Sequence, residues 1–233
     1  MDTPAYTDPV RLQSSVLSAA EKRLLEQMAR RLPAWVNSDH LTGLALAAMI
    51  LAGGSYWLAA RYPVGLLLAT IWLAVNWFGD SLDGTVARVR GTQRPRYGFY
   101  VDHVVDALGT ACLFGGLALS GFMTPWIALL VLLAYSLVTV EVFLATVVSG
   151  TFRMSFLAIG PTELRILLAV GNAWVAFDPV VTLAGRSFLL FDVAGVVGAA
   201  GLAVAFLVSA ARNARELYLA EPLPPRRNQA GLP

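Results

Sequence analysis

Four aspartates stand close together within the apolar part of the chain. They occur in Asp80-Ser-Leu-Asp83-Gly84-Thr-Val-Ala87-Arg88 and, nine residues later, in Gly98-Phe-Tyr-Val-Asp102-His103-Val-Val-Asp106. A carboxylate at membrane depth is costly, so a cluster of them demands a compensating positive charge. A divalent metal supplies it most cheaply, and hard oxygen ligands of this kind suit Mg²⁺ or Mn²⁺. Asp80, Asp83 and Ala87 follow an i, i+3, i+7 spacing, and Gly98, Asp102 and Asp106 an i, i+4, i+8 spacing; each set lies on one helix face. Two helices can therefore present two carboxylates each to a shared space. Gly84, Ala87 and Gly98 have little or no side chain, which permits close backbone packing or leaves room for a bulky ligand such as a nucleotide. Arg88 ends the first stretch, where a guanidinium can hold a phosphate through two hydrogen bonds.

The elements that must position these groups are membrane helices. The 233 residues are 57% hydrophobic and only 14% charged, against about a quarter charged in an ordinary soluble domain. Hydropathy predicts an all-α integral membrane protein of six spans, over residues 41–60, 64–87, 99–120, 125–148, 163–177 and 190–211. Gly and Pro stand where these helices should break, as in Tyr62-Pro63, Gly121-Phe-Met-Thr-Pro125, Gly160-Pro161 and Ala184-Gly185. Residues 1–40 form a polar N-terminal segment, 41–215 the bundle and 216–233 a tail expected to be disordered for its prolines and its basic pair. Ser18-Ala-Ala-Glu21 reads as a capping box. The helix it opens is amphipathic and suited to the membrane interface, or to packing on the end of its own bundle. The lone cysteine, Cys112, excludes an intrachain disulfide and a cysteine metal site. Of the 17 basic residues, all but Arg61 and Arg186 fall on one side of this topology. The positive-inside rule then puts both termini and the aspartates on the cytoplasmic side.

The aspartate stretch resembles the signature of the CDP-alcohol phosphotransferases: Asp-x2-Asp-Gly-x2-Ala-Arg, a spacer, then Gly-x3-Asp-x3-Asp. All of its fixed residue types are present here in order, and only the spacer, Val89 to Tyr97, is one residue longer than usual. The resemblance implies a metal-dependent transfer of a substituted phosphate from a CDP-linked donor to an alcohol, with release of CMP. It implies two metal ions, held principally by Asp80, Asp83 and Asp102. Asp106 would take the proton of the attacking hydroxyl, and would also touch a metal. Arg88 would hold a phosphate, and Gly84, Ala87 and Gly98 would border the nucleotide. A homodimer embedded in the bilayer is expected, with no nucleic acid among its partners. The donor is CDP-diacylglycerol with a polar alcohol as acceptor or, alternatively, a CDP-linked small alcohol with diacylglycerol as acceptor. Asp102-His103-x-x-Asp106 and Val148-Ser-Gly150-Thr-x-Arg153 resemble the choline and ethanolamine branch and point to the second chemistry. A cation or proton transporter is the competing class, but neither an internal repeat nor a broken helix supports it.

Other polar groups qualify as acceptor or phosphate contacts: His103, Glu141, Arg153, Glu163 and Arg165. One residue step turns a helix by about 100°, so His103 should face away from the aspartates. Glu141 is an intramembrane acid and a functional candidate by default. Asn76, one turn before Asp80, is placed to orient that carboxylate. In the lead-in to the first span, Ser38-Asp39 takes the place of the family's Pro-Asn pair, and Asp39 is expected to cap the helix rather than to act in the site.

Overall fold

The computed structural model describes residues 10–12, 18–149, 151–153 and 161–221. Seven helices are described: α1 Ser18–Arg31, α2 Ser38–Ala59, α3 Val64–Arg90, α4 Pro95–Leu119, α5 Pro125–Ser149, α6 Pro161–Val175 and α7 Leu190–Ala220. Two short strand pairs accompany them: β1 Val10–Leu12 parallel to β2 Thr151–Arg153, and a hairpin of β3 Val180–Leu183 with β4 Arg186–Leu189. Proline marks helix starts at Pro63, Pro95, Pro125 and Pro161, where its missing N–H costs nothing. Gly91 ends α3 with φ 65°. This left-handed turn lets the Gly91 and Thr92 amides return to the Ala87 and Arg88 carbonyls.

Five helices, α2 to α5 and α7, are long and apolar enough to cross a membrane. The sixth expected span is the 15-residue α6, about 22 Å long at 1.5 Å per residue, which falls short of a hydrocarbon layer about 30 Å thick. The span expected over 163–177 is equally short; α6 lies two residues earlier, with Glu163 in its first turn, and the hairpin at Val180–Leu189 follows it. At the other extreme α7 runs on to Ala220, so the first part of the expected disordered tail is helical. The rest, 222–233, lies outside the described residues.

Packing is inverted relative to a water-soluble bundle. Ala48, Ala52 and Ala69 are fully buried, while Trp57, Trp126 and Phe177 are well exposed. Lipid solvates large apolar side chains, so small residues are left to set the distance between helices. Helix α2 lies against α3 and α4, α5 against α4 and α7, and α6 against α3. Between them Tyr56, buried completely, donates to Asn172 Oδ1 at 2.8 Å, and Asn172 Nδ2 donates to Thr70 Oγ1 at 3.0 Å. That chain of two bonds joins α2, α6 and α3 and satisfies polar groups that lipid cannot. Helix α1 packs on the same bundle, with Leu25 and Ala29 buried against Leu41, Leu82 and Val86. Glu21 turns Oε1 to Trp77 Nε1 and to Thr162 Oγ1, both at 2.8 Å. The carboxylate expected in a capping box thus joins α1 to α3 and α6; the Ser18 side chain lies outside the described residues.

Candidate active site

The second half of α3 and the first half of α4 face each other across the space that the spacing predicts. Carboxylate oxygens of Asp80, Asp102 and Asp106 lie within 4.8 Å of one another, each side chain half-buried. Three acids this close need a cation, and a divalent ion with oxygen ligands fits the donor set. The cluster can therefore hold a metal.

Asp83 stands apart from this group. Its Oδ2 accepts from Thr42 Oγ1 at 2.6 Å, and its Oδ1 accepts from the Gly84 amide at 2.5 Å. A residue on α2 thus holds the fourth acid of the signature against the helix pair. Nothing in the sequence near Asp83 announces Thr42, which is 41 positions away. Sequence reasoning gave Thr42 no role, although it closes the lead-in segment that resembles the family's Pro-Asn and Thr pattern.

Arg165 is a candidate for an acceptor or phosphate contact. Its NH2 donates to Asp80 Oδ2 at 2.5 Å, and the two side chains are only 16% and 19% exposed. The carboxylate cluster accordingly has a cationic neighbour, supplied by α6. Glu163 lies two residues before Arg165 in the first turn of that helix. Arg88 is exposed and donates to Thr85 Oγ1 at 3.0 Å. A Cβ on Gly84 would meet only the Arg88 guanidinium, at 3.4 Å, and a Cβ on Gly98 would meet no atom within 4 Å. These glycines border open space, and Ala87 is half-buried beside them.

The remaining candidates divide. His103 is buried, with Nδ1 2.7 Å from the Phe99 carbonyl oxygen and its ring between Phe99 and Phe143, at centroid distances of 4.3 and 4.6 Å. Its Nδ1 is also 3.6 Å from Asp102 Oδ2. That is too long for a hydrogen bond, so the contact with the Phe99 carbonyl fixes the ring. Glu141 is buried between α5 and α7, where its Oε1 accepts from Asn213 Nδ2 at 2.7 Å. Asn76 does not serve Asp80: its Nδ2 donates to the Ala45 carbonyl at 3.1 Å and ties α3 to α2. Asp39 is not the helix cap. Asn37 is, accepting from the His40 amide at 2.9 Å, while Asp39 pairs with Arg94. This pair, on exposed groups, raises the Arg94 pKa further above its ordinary value. Arg90 reaches back to the carbonyls of Leu32, Pro33, Ala34 and Val36. The basic loop after α3 is thereby clipped to the segment between α1 and α2. Arg153 stands in β2; its side chain lies outside the described residues.

Apolar helices thus carry a convergent aspartate cluster that can hold a metal, with open space at the glycines beside it. The sequence model for CDP-alcohol phosphatidyltransferases matches residues 35–207, and the chain belongs to this family of enzymes, which transfer substituted phosphate groups. It is 28% identical over 150 residues to an archaetidylinositol phosphate synthase of Pyrococcus horikoshii, a match covering 64% of this chain and 77% of the relative. Its fold is similar to that of the Mycobacterium tuberculosis phosphatidylinositol phosphate synthase crystallised with CDP-DAG bound. The TM-score is 0.56 at 18% identity, over 87% of this chain and all of that one.

Proposed function

We propose that the protein transfers the phosphatidyl group of a CDP-linked lipid, of the CDP-diacylglycerol type, to the hydroxyl of a polar alcohol and releases CMP. The observation that carries this reading is the convergence of Asp80, Asp102 and Asp106 inside a complete family signature. The relatives favour a lipid on the donor: one solved structure holds CDP-DAG, and the Pyrococcus relative is named for an inositol phosphate lipid. A phosphorylated polyol is accordingly the first acceptor to test. The alternative, transfer from a CDP-linked small alcohol to diacylglycerol, draws on His103 and on the segment around Gly150. The enclosure of the His103 ring between Phe99 and Phe143 weakens it.

In this mechanism Asp80, Asp83 and Asp102 would be the principal ligands of Mg²⁺ or Mn²⁺, Asp106 would also touch a metal, and two ions are expected. Metal bound there would neutralise charge on the pyrophosphate of the donor and on the departing CMP. Gly84 and Gly98 leave room for the nucleotide, and Arg88 takes a phosphate oxygen. Asp106 accepts the proton of the acceptor hydroxyl, which must lie within hydrogen-bond reach of its carboxylate. The oxygen of that hydroxyl then bonds to the donor phosphorus, the bond to the CMP oxygen breaks, and CMP leaves with that electron pair. Glu141, Glu163, Arg153 and Arg165 remain candidates for acceptor contact.

The decisive experiment is a matrix of both donor classes against a panel of alcohols, with Mg²⁺ or Mn²⁺, read as CMP release and by lipid mass spectrometry. A product made only from a CDP-linked small alcohol and diacylglycerol would reject the donor assignment. Turnover undiminished by chelator would reject the metal. The carboxylates and both termini are proposed to face the cytoplasm, which requires α6 to complete an even number of crossings. In a Cys112→Ser background, a cysteine replacing Thr92 should react with an impermeant thiol reagent only from the cytoplasmic face, and one replacing Phe122 only from the opposite face. The protein is proposed to be a homodimer, and light scattering of the detergent-solubilised form tests this.

A further inference from the structure

Asp80 lies at the centre of two arrangements. Its carboxylate belongs to the three-acid cluster, and its Oδ2 is also the acceptor for Arg165 NH2 at 2.5 Å. The two helices that bring these groups together are fixed independently of the pair. Helix α6 is held by Thr162 to Glu21 at one end and by Asn172 to Tyr56 and Thr70 further along. The helix therefore stays in place whatever Arg165 does, and only the long side chain has freedom to move. Guanidinium and metal ion seek the same negative charge, and Asp80 offers it to both. A cation bound at the cluster repels a guanidinium held within hydrogen-bond distance of the same carboxylate, so each weakens the other.

We infer that Arg165 is the resident counter-ion of the Asp80–Asp102–Asp106 cluster in the metal-free protein, and that metal binding and release of Arg165 from Asp80 are one coupled event. This rests on the metal reading of the cluster given above. The physical gain is twofold. Without metal, the guanidinium keeps three half-buried carboxylates from repelling one another unopposed. With metal, the freed guanidinium stays tethered on α6 beside the cluster, ready for a phosphate oxygen. Arg165 then engages phosphate only after the metal has loaded, which orders the two binding steps. Arg165 is on this account a positioning residue of the empty site and a substrate contact of the loaded one.

The test compares purified wild type with Arg165→Gln and Arg165→Lys in detergent, without substrate, using Mn²⁺ as the probe. Binding is read from the electron paramagnetic resonance signal of free Mn²⁺, and stability from the thermal midpoint in chelator and in saturating Mn²⁺. Arg165→Gln should bind Mn²⁺ about 5- to 150-fold more tightly, the range usual for two coupled ligands. It should melt lower than wild type in chelator, by about 2–4 °C for each kcal/mol lost in a chain of this size. In Mn²⁺ that gap should close. Arg165→Lys, which keeps the charge, should lie nearer to wild type in both measurements. A thermal deficit of equal size in chelator and in Mn²⁺ would mean that the pair survives metal binding, and would overturn the inference. So would unchanged Mn²⁺ affinity in Arg165→Gln. A wild type that binds no Mn²⁺ would reject the metal reading and this inference together; wild-type binding with no effect of Arg165→Gln rejects the inference alone. A second measurement needs no variant. Phenylglyoxal modification of wild-type Arg165, followed by peptide mass spectrometry, should be slow in chelator and several-fold faster in Mn²⁺. Metal that leaves the rate unchanged or slows it would refute displacement.

Discussion

At the crossing of α2 and α4, a Cβ on Gly116 would lie 2.0 Å from the Gly53 carbonyl oxygen, and one on Gly53 would lie 2.2 Å from the Cys112 carbonyl oxygen. At the carboxylate end of α4, a Cβ on Gly98 would touch nothing within 4 Å, and on α3 one at Gly84 would meet only the Arg88 side chain. The same residue type serves opposite ends. In the middle of the bundle glycine removes a side chain so that two backbones can meet, the usual device of helix packing in lipid. Beside the aspartates it removes a side chain so that nothing meets there. The first kind holds the helices at fixed separation, and the second preserves a volume that only a ligand fills. Polar groups divide in the same way. Tyr56, Asn172 and Thr70 satisfy each other within the bundle, whereas Asp80, Asp102 and Asp106 converge without satisfying each other.

Substitutions at the two regions should separate these roles. The largest expected effect is on turnover at the carboxylate end. Asp106→Asn should lower it by about 10²- to 10⁴-fold, the usual contribution of a positioned acid or base, while keeping most CDP affinity. Asp80→Asn should abolish turnover and weaken both Mn²⁺ and CDP binding. Isothermal titration with CDP distinguishes the two, and equal severe loss of binding in both variants would erase the division between base and metal ligand.

The next effect is on stability at the crossing. Gly116→Ala or Gly53→Ala forces a methyl group into a backbone carbonyl and should cost about 3 kcal/mol or more, the upper part of the range for overpacking. Thermal melts in detergent, and the yield of folded protein, measure it. Thr42→Val should cost less, about 1.5–3 kcal/mol, because it removes one hydrogen bond to a carboxylate; it should also reduce Mn²⁺ affinity by releasing Asp83. The smallest effect on stability belongs to Gly84→Ala and Gly98→Ala. Neither methyl meets a wall, and alanine is the better helix former by up to about 1 kcal/mol, so the midpoint should hold or rise. Donor KM should increase nonetheless. If either variant melts as low as Gly116→Ala, the contrast between closed and open glycines is wrong.

The aspartates themselves were legible in the sequence because a helix converts spacing into a face without help from the rest of the chain. The i, i+3 and i, i+4 intervals put Asp80, Asp102 and Asp106 on two faces, and the hydropathy of the flanks placed those faces in a membrane bundle. The direction of His103 was legible for the same reason, since one residue step turns it off the aspartate face, but its contact with Phe143 on α5 was not. Helix starts were legible at Pro63, Pro125 and Pro161, whereas α3 runs on to Arg90 and α4 begins at Pro95, inside the stretch expected to be loop. Contacts between helices were not, because they depend on rotation and separation that small residues such as Ala48 and Gly53 set only when helices pack. Thr42 on Asp83, Arg165 on Asp80, Asn76 on Ala45 and Glu21 on Trp77 and Thr162 each join positions 31 or more residues apart. Nor was the hairpin after α6 legible, where a left-handed turn at Ala184-Gly185 reverses the chain. Local periodicity thus turned Asp80, Asp102 and Asp106 towards a common space, but did not show that Asp83 would be held apart by Thr42. Only the tertiary structure decided which neighbours reach them, because a guanidinium on α6 meets Asp80 only when three helices have already been locked in place.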